Sequence, residues 1–81
     1  YNLTQTNGLT HSLATQIARE LGRRIVAGLY PQGTCLEDEM TLAEKYRVSR
    51  SVIRDAVKIL VGKGLLEVRR GIGTKVRNRL E

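Results

Sequence analysis

Phenylalanine and tryptophan are absent from the 81 residues, and the only aromatic side chains are three tyrosines. Any core is therefore aliphatic, with tyrosine at its edges. A single cysteine, Cys35, leaves no intramolecular disulfide and no cysteine cluster for a metal, which fits a reducing, cytoplasmic setting. A single histidine, His11, supplies neither a metal site nor a triad by itself. No apolar run approaches the ~20 residues of a membrane span, and no secretory signal opens the chain. Gly-rich phosphate loops ending in Lys-Ser/Thr are missing, as are paired-histidine motifs, internal repeats and heptads. With no nucleophile–base pair in view, an enzyme is set aside, and neither a metal nor a cofactor is expected.

What the chain has in quantity is positive charge, and most of it sits in one half. The formal net charge is +6. Residues 1–44 carry three basic and five acidic side chains, whereas 45–81 carry eleven basic and three acidic ones. A solvated basic surface is one reading of that half. The other is the electrostatic footprint of a nucleic-acid binder, since phosphate neutralisation supplies much of such a protein's affinity. A chain of this length makes one small domain, which buries only about 60% of its unfolded surface.

Apolar periodicity locates the elements. Residues 1–12 are polar and without period, and read as a flexible lead-in; Thr10 or Ser12 can cap the first helix. Leu13, Ile17, Leu21 and Ile25, with Ala14, Ala18 and Val26 alongside, predict that helix as a long one ending near Gly28. Gly22 lies inside it, at a cost of about 1 kcal/mol relative to alanine. Arg19, Arg23 and Arg24 take its outer side. Leu29-Tyr30-Pro31-Gln32-Gly33 is a turn, and Thr34-Cys35-Leu36 a short extended segment in which Cys35 is a small apolar filler. Asp38 caps a short helix from Glu39 to Tyr46, with Leu42, Ala43 and Tyr46 inward. The acids Glu37, Asp38 and Glu39 crowd its N-terminus, which the helix dipole favours.

After a tight turn at Arg47, Ser49 caps the central helix. Ile53, Ala56, Val57 and Leu60 recur at i, i+3, i+4 and i+7, which is one buried face. Arg50, Ser51, Arg54 and Lys58 fall on the rest of its surface. A helix that buries one side and aims arginines and hydroxyls from its first turns has the layout of a DNA recognition helix. Gly62-Lys63-Gly64 stops it. Leu65 to Arg69 and Thr74 to Arg77 then read as two strands around Arg70-Gly71-Ile72-Gly73, a hairpin whose glycines let a basic tip approach a groove. Asn78 to Glu81 reads as the start of a linker. The expected fold is mainly α with a small β-hairpin: a winged helix-turn-helix of three helices plus wing, spanning 13–77.

This order of elements resembles the winged-helix DNA-binding domain of the GntR family of bacterial transcription regulators. The resemblance runs from about Leu13 to Val76. It rests on Gly28-Leu29-Tyr30-Pro31-Gln32-Gly33-Thr34-Cys35-Leu36, Leu42-Ala43-Glu44, Val48-Ser49-Arg50-Ser51-Val52-Ile53-Arg54-Asp55-Ala56, Lys63-Gly64-Leu65 and Arg70-Gly71-Ile72-Gly73-Thr74. In that family the hydroxyl residue before the first arginine, both recognition-helix arginines and the wing tip contact DNA. By position these are Ser49, Arg50, Arg54, Arg70 and Gly71. Two departures stand out. The family's Leu-Pro-x-Glu-Arg is Leu36-Glu37-Asp38-Glu39-Met40 here, so Met40 replaces an arginine that often touches the operator. The small residue common in the turn is Arg47.

Together with the cations and hydroxyls beside them in the chain, these positions lead to an expected division of labour. Arg50, Arg54 and Ser51 read bases. Ser49, Lys45, Arg47 and Lys58 hold phosphates. The wing residues Arg69, Arg70, Gly71, Ile72 and Gly73 lie at the flanking minor groove. The resemblance implies a palindromic double-stranded operator and a homodimer formed through a separate C-terminal effector domain. The all-helical, FadR-like subgroup is favoured, and a repressor of a metabolic operon is the expected role. An alternative from the residues themselves stays open: a winged helix whose basic half docks on an acidic protein or RNA.

Overall fold

The computed structural model describes residues 3–77, with side chains from residue 12 onward. Three helices, α1 (Leu3–Val26), α2 (Glu39–Tyr46) and α3 (Arg50–Gly62), precede an antiparallel hairpin of β1 (Leu66–Arg69) and β2 (Gly73–Val76). Leu66 pairs with Val76 and Arg69 with Gly73. This is the expected winged helix-turn-helix. The expected linker start at 78–81 lies outside the described residues.

All five elements feed one aliphatic core. Leu21 of α1, Leu42 of α2, Ile53 and Leu60 of α3, Leu66 of β1 and Val76 of β2 are all fully buried. Each such side chain contributes about 1.5–3 kcal/mol by leaving water. The tyrosines sit at the margin: Tyr30 and Tyr46 are half-buried against the core. α1 packs along α3, and α2 and β1 pack on α3 as well. The second helix of the helix-turn-helix is thus gripped from several sides and presents one remaining face outward.

Four local expectations need correction. First, α1 begins at Leu3 and takes in most of the expected lead-in, so neither Thr10 nor Ser12 is its cap. Once a helix is nucleated, each added residue gains a hydrogen bond, and no proline interrupts this stretch. Second, α3 buries Val52 and leaves Val57 half-buried. Because both α1 and α2 pack on α3, its buried arc starts one residue earlier, and Val57 turns towards a cleft shared with the hairpin. Third, Val26 is exposed, at the end of α1 where the core stops. Fourth, Cys35 is exposed rather than a filler. The segment around it runs along β2: Cys35 bridges to Lys75, and the Leu36 N–H donates to the Thr74 carbonyl at 2.8 Å. Alternation along extended chain turns Leu36 in and Cys35 out.

Candidate nucleic-acid interface

The turn between α2 and α3 is set by Arg47. It closes α2 in the left-handed conformation, φ 59° and ψ 47°, among the described residues the one non-glycine with positive φ. Its N–H and that of Val48 return to α2 carbonyls, the latter to Ala43 at 3.0 Å. Ser49 then caps α3: its Oγ accepts from the Val52 N–H at 3.3 Å. A hydroxyl that accepts in this way keeps its own proton to donate. Ser49 therefore stands at the helix start with an O–H and the positive end of a helix dipole for an anion.

From that start α3 carries Arg50, Ser51, Arg54 and Lys58 on its exposed face, while Val52, Ile53, Ala56 and Leu60 are buried on the other. The two arginines do not float. Arg54 Nε–H donates to Glu39 Oε2 at 3.0 Å and its Nη2–H to Oε1 at 3.1 Å; Arg50 Nε–H donates to Oε1 at 3.2 Å. Hydrogen bonds from Arg54 and then Arg50 hold the Glu39 carboxyl below the usual carboxylate range, and Glu39 in turn raises Arg54. One carboxylate at the first residue of α2 thus gathers both guanidinium groups of α3.

The three acids at the start of α2 each have a separate partner. Asp38 Oδ1 accepts from the Thr41 N–H at 2.8 Å and caps the helix, which lowers its carboxyl pKa. Glu37 accepts from the Tyr30 hydroxyl at 2.9 Å and from Lys45 Nζ at 3.2 Å. Burial alone would raise Glu37; hydrogen bonds from its own backbone, Tyr30 and Lys45 outweigh that and keep it low. Tyr30 moves the other way, raised by burial and by Glu37. Lys45 also lies 6.0 Å from the centroids of both the Tyr30 and Tyr46 rings. It is the most engaged of the expected phosphate-binding cations. Met40, in the place of the family's arginine, is exposed beside Glu39.

The wing stands next to this face. Its tip is a four-residue turn in which the Ile72 N–H donates to the Arg69 carbonyl at 3.1 Å. Gly71 takes φ +81° at the third position, where a side chain would be strained. Arg69, Arg70, Gly71, Ile72 and Gly73 are all exposed, and so are Lys45 and Arg47. A cleft of about 280 Å³ joins Arg54, Val57 and Lys58 of α3 to Val68 and Thr74 of the hairpin and to the N-terminal end of α2. The first helix stands apart: Arg23 and Arg24 pair with Glu20 at 2.6 and 2.9 Å.

Every residue expected at the site thus lies on the surface of the helix-turn-helix or the wing. The reading from sequence missed Glu37, Glu39 and Tyr30. The signal was there, since three adjacent acids are more negative charge than one helix dipole calls for. Their partners, however, lie seven to fifteen residues away in the chain. Among the described residues no cluster of metal-ligating side chains occurs, and no helix is long and apolar enough to cross a membrane.

A short helix, a tight turn, a second helix with its cations outward and a hairpin at its side define a winged helix-turn-helix domain. A family model, bacterial regulatory proteins of the gntR family, matches residues 13–76. The uncharacterized HTH-type transcriptional regulator YieP of Escherichia coli (strain K12) is 43% identical over 65 residues, 80% of this chain and 28% of that protein. The gluconate operon transcriptional repressor of Bacillus subtilis (strain 168) is 42% identical over 59 residues, 73% of this chain and 24% of that protein. Among solved structures, AraR(DBD) in complex with operator ORR3 superposes with a TM-score of 0.74 at 33% identity, covering 79% of this chain and 77% of that one. Streptococcus agalactiae GntR gives 0.73 at 41% identity, covering 82% of this chain and 32% of that one. The chain belongs to the gntR family of bacterial regulatory proteins. It spans less than a third of the length of these two curated relatives.

Proposed function

We propose that this chain reads double-stranded DNA by sequence, as the operator-reading domain of a ligand-responsive bacterial transcription regulator. The observation that carries the reading is the division of α3: its cations line one exposed face while the opposite face is locked in the core. α3 lies in the major groove, where Arg50 and Arg54 donate to guanine O6 and N7 and Ser51 meets a neighbouring base edge. Ser49, Arg47, Lys45 and Lys58 hold backbone phosphates and fix the register. Arg69 and Arg70 reach the flanking minor groove around Gly71, Ile72 and Gly73. Support comes from the similar AraR domain, whose structure is described as a complex with an operator.

In the longer protein, a C-terminal effector domain of the all-helical, FadR-like type pairs two such domains on a palindrome in the cytoplasm, and the regulator represses a metabolic operon. The greater length of the relatives supports a further domain, and the gluconate operon repressor among them supports a repressing role. The role is one of binding, without catalysis. The test is enrichment of duplexes from a random pool by the 81-residue chain, then titration over a range of salt. A defined half-site and a steep salt dependence are expected. No enrichment, with a shallow salt slope on duplex DNA, would overturn the reading in favour of an acidic protein or RNA partner.

A further inference from the structure

We infer that Glu39 is a specificity-determining residue, which positions Arg50 and Arg54 for bases and withholds them from phosphates. The inference rests on the DNA-reading role just proposed. An exposed arginine on a helix ordinarily samples many rotamers, and its charge serves any phosphate equally well. Here two arginines one helical turn apart converge on the two oxygens of one carboxylate. The edges they use matter. Arg54 gives Glu39 its Nε–H and one Nη2–H, and Arg50 gives its Nε–H. The end of each guanidinium, bearing the remaining Nη protons, stays available. That end is a two-donor fork of the kind that fits guanine O6 and N7. Glu39 therefore takes the side of each fork and leaves its end.

Its charge has a second consequence. A phosphate approaching the free end of either guanidinium meets the negative charge of Glu39 beside the arginines, which weakens its attraction to them. A base edge is uncharged and carries no such penalty. The same residue thus favours base readout and disfavours non-specific binding, because its carboxylate repels the charged ligand and not the neutral one.

The experiment uses the 81-residue chain, a duplex it has enriched from a random pool, and a scrambled duplex of equal length. Three variants are compared with it: E39Q, E39A and E44Q. The last removes the same charge from the C-terminal end of α2, where no contact to the α3 arginines occurs among the described hydrogen bonds. We expect E39Q and E39A to bind the scrambled duplex more tightly and to lose about tenfold in the ratio of specific to scrambled affinity, the scale of one base contact. E44Q keeps the wild-type ratio. Without DNA, the Nε–Hε resonances of Arg50 and Arg54 are shifted from those of free arginine in the wild type and collapse towards them in E39A, which has no acceptor left. A wild-type ratio in E39Q and E39A, or an equal loss on both duplexes, would overturn the inference, as would Nε–Hε signals that do not move in E39A. A wild type that enriches nothing would instead strike down the DNA-reading role and the inference with it, so the two failures are distinct.

Discussion

The hydroxyl of Ser49 accepts a backbone N–H of its own helix, and this leaves its proton for a ligand. Ser49→Ala should therefore act twice. Loss of the cap should cost about 0.5–2 kcal/mol of stability, seen in thermal melts, and duplex affinity should drop to a similar degree for all sequences. Arg50→Ala and Arg54→Ala should do the opposite. Both side chains are more than half exposed and their pairing with Glu39 is a surface one, so melting should fall only slightly, whereas each should lower discrimination at one base pair by about 10- to 100-fold in gel-shift titrations. Acid titration adds a third test at this scale. Asp38, Glu37, Glu39 and Glu20 all have carboxyl pKa values below their ordinary range in the folded state. A depressed folded pKa contributes stability that is present above the unfolded value, about 4, and is lost as pH falls through the folded value. The melting temperature should hold from neutral pH downward and fall below that point. Asp38→Asn keeps a capping oxygen but cannot titrate, so its melting temperature should depend less on acid.

At the scale of elements, two backbone positions carry residues that the fold does not demand. Gly22 lies in α1 against α3. A Cβ there would meet Leu60 Cδ2 at 3.4 Å and Leu65 Cδ1 at 3.6 Å, ordinary contact distances. Gly22→Ala should therefore stabilise the domain by about 0.5–1 kcal/mol, since alanine holds a helix better and has room. Arg47 is the reverse case. It occupies a left-handed conformation that disfavours any side chain, and Arg47→Gly should leave stability unchanged or raise it by up to about 1 kcal/mol. The same variant should weaken duplex binding, because a cation leaves the turn. A melt and a titration on each variant separate the two effects. These elements also show why periodicity overshot. The i, i+3, i+4, i+7 pattern on α3 names a stripe, but a helix packed by α1, α2 and β1 buries a wider arc that takes in Val52 and leaves Val57 at the wing cleft.

For the molecule as a whole, charge is the dominant long-range property. The positive half from residue 45 onward forms the second half of the helix-turn-helix and the wing. Affinity for duplex DNA should fall linearly in log–log terms with salt. Lys58→Ala should reduce that slope by about one unit on every sequence, as expected for the loss of one phosphate contact. A slope unchanged in this variant would take Lys58 off the interface.

Local chemistry made much of this protein readable in its sequence. Asp38 and Ser49 cap the helices they precede, Leu42 and Leu60 are core, and the glycine-flanked basic tip is a turn. Those features depend on neighbours within a turn or two, and on an apolar period that a single core enforces. So the helix order, the wing and the outward placing of Arg50, Arg54 and Lys58 were legible. What only the tertiary structure decided are pairings between distant residues. Glu39 meets Arg54 fifteen residues on, Glu37 meets Lys45 and Tyr30, and Cys35 faces out because its segment runs along β2. An acid's position in the chain names its helix end; which cation it holds depends on how two helices cross, and that is set by the core packing of both.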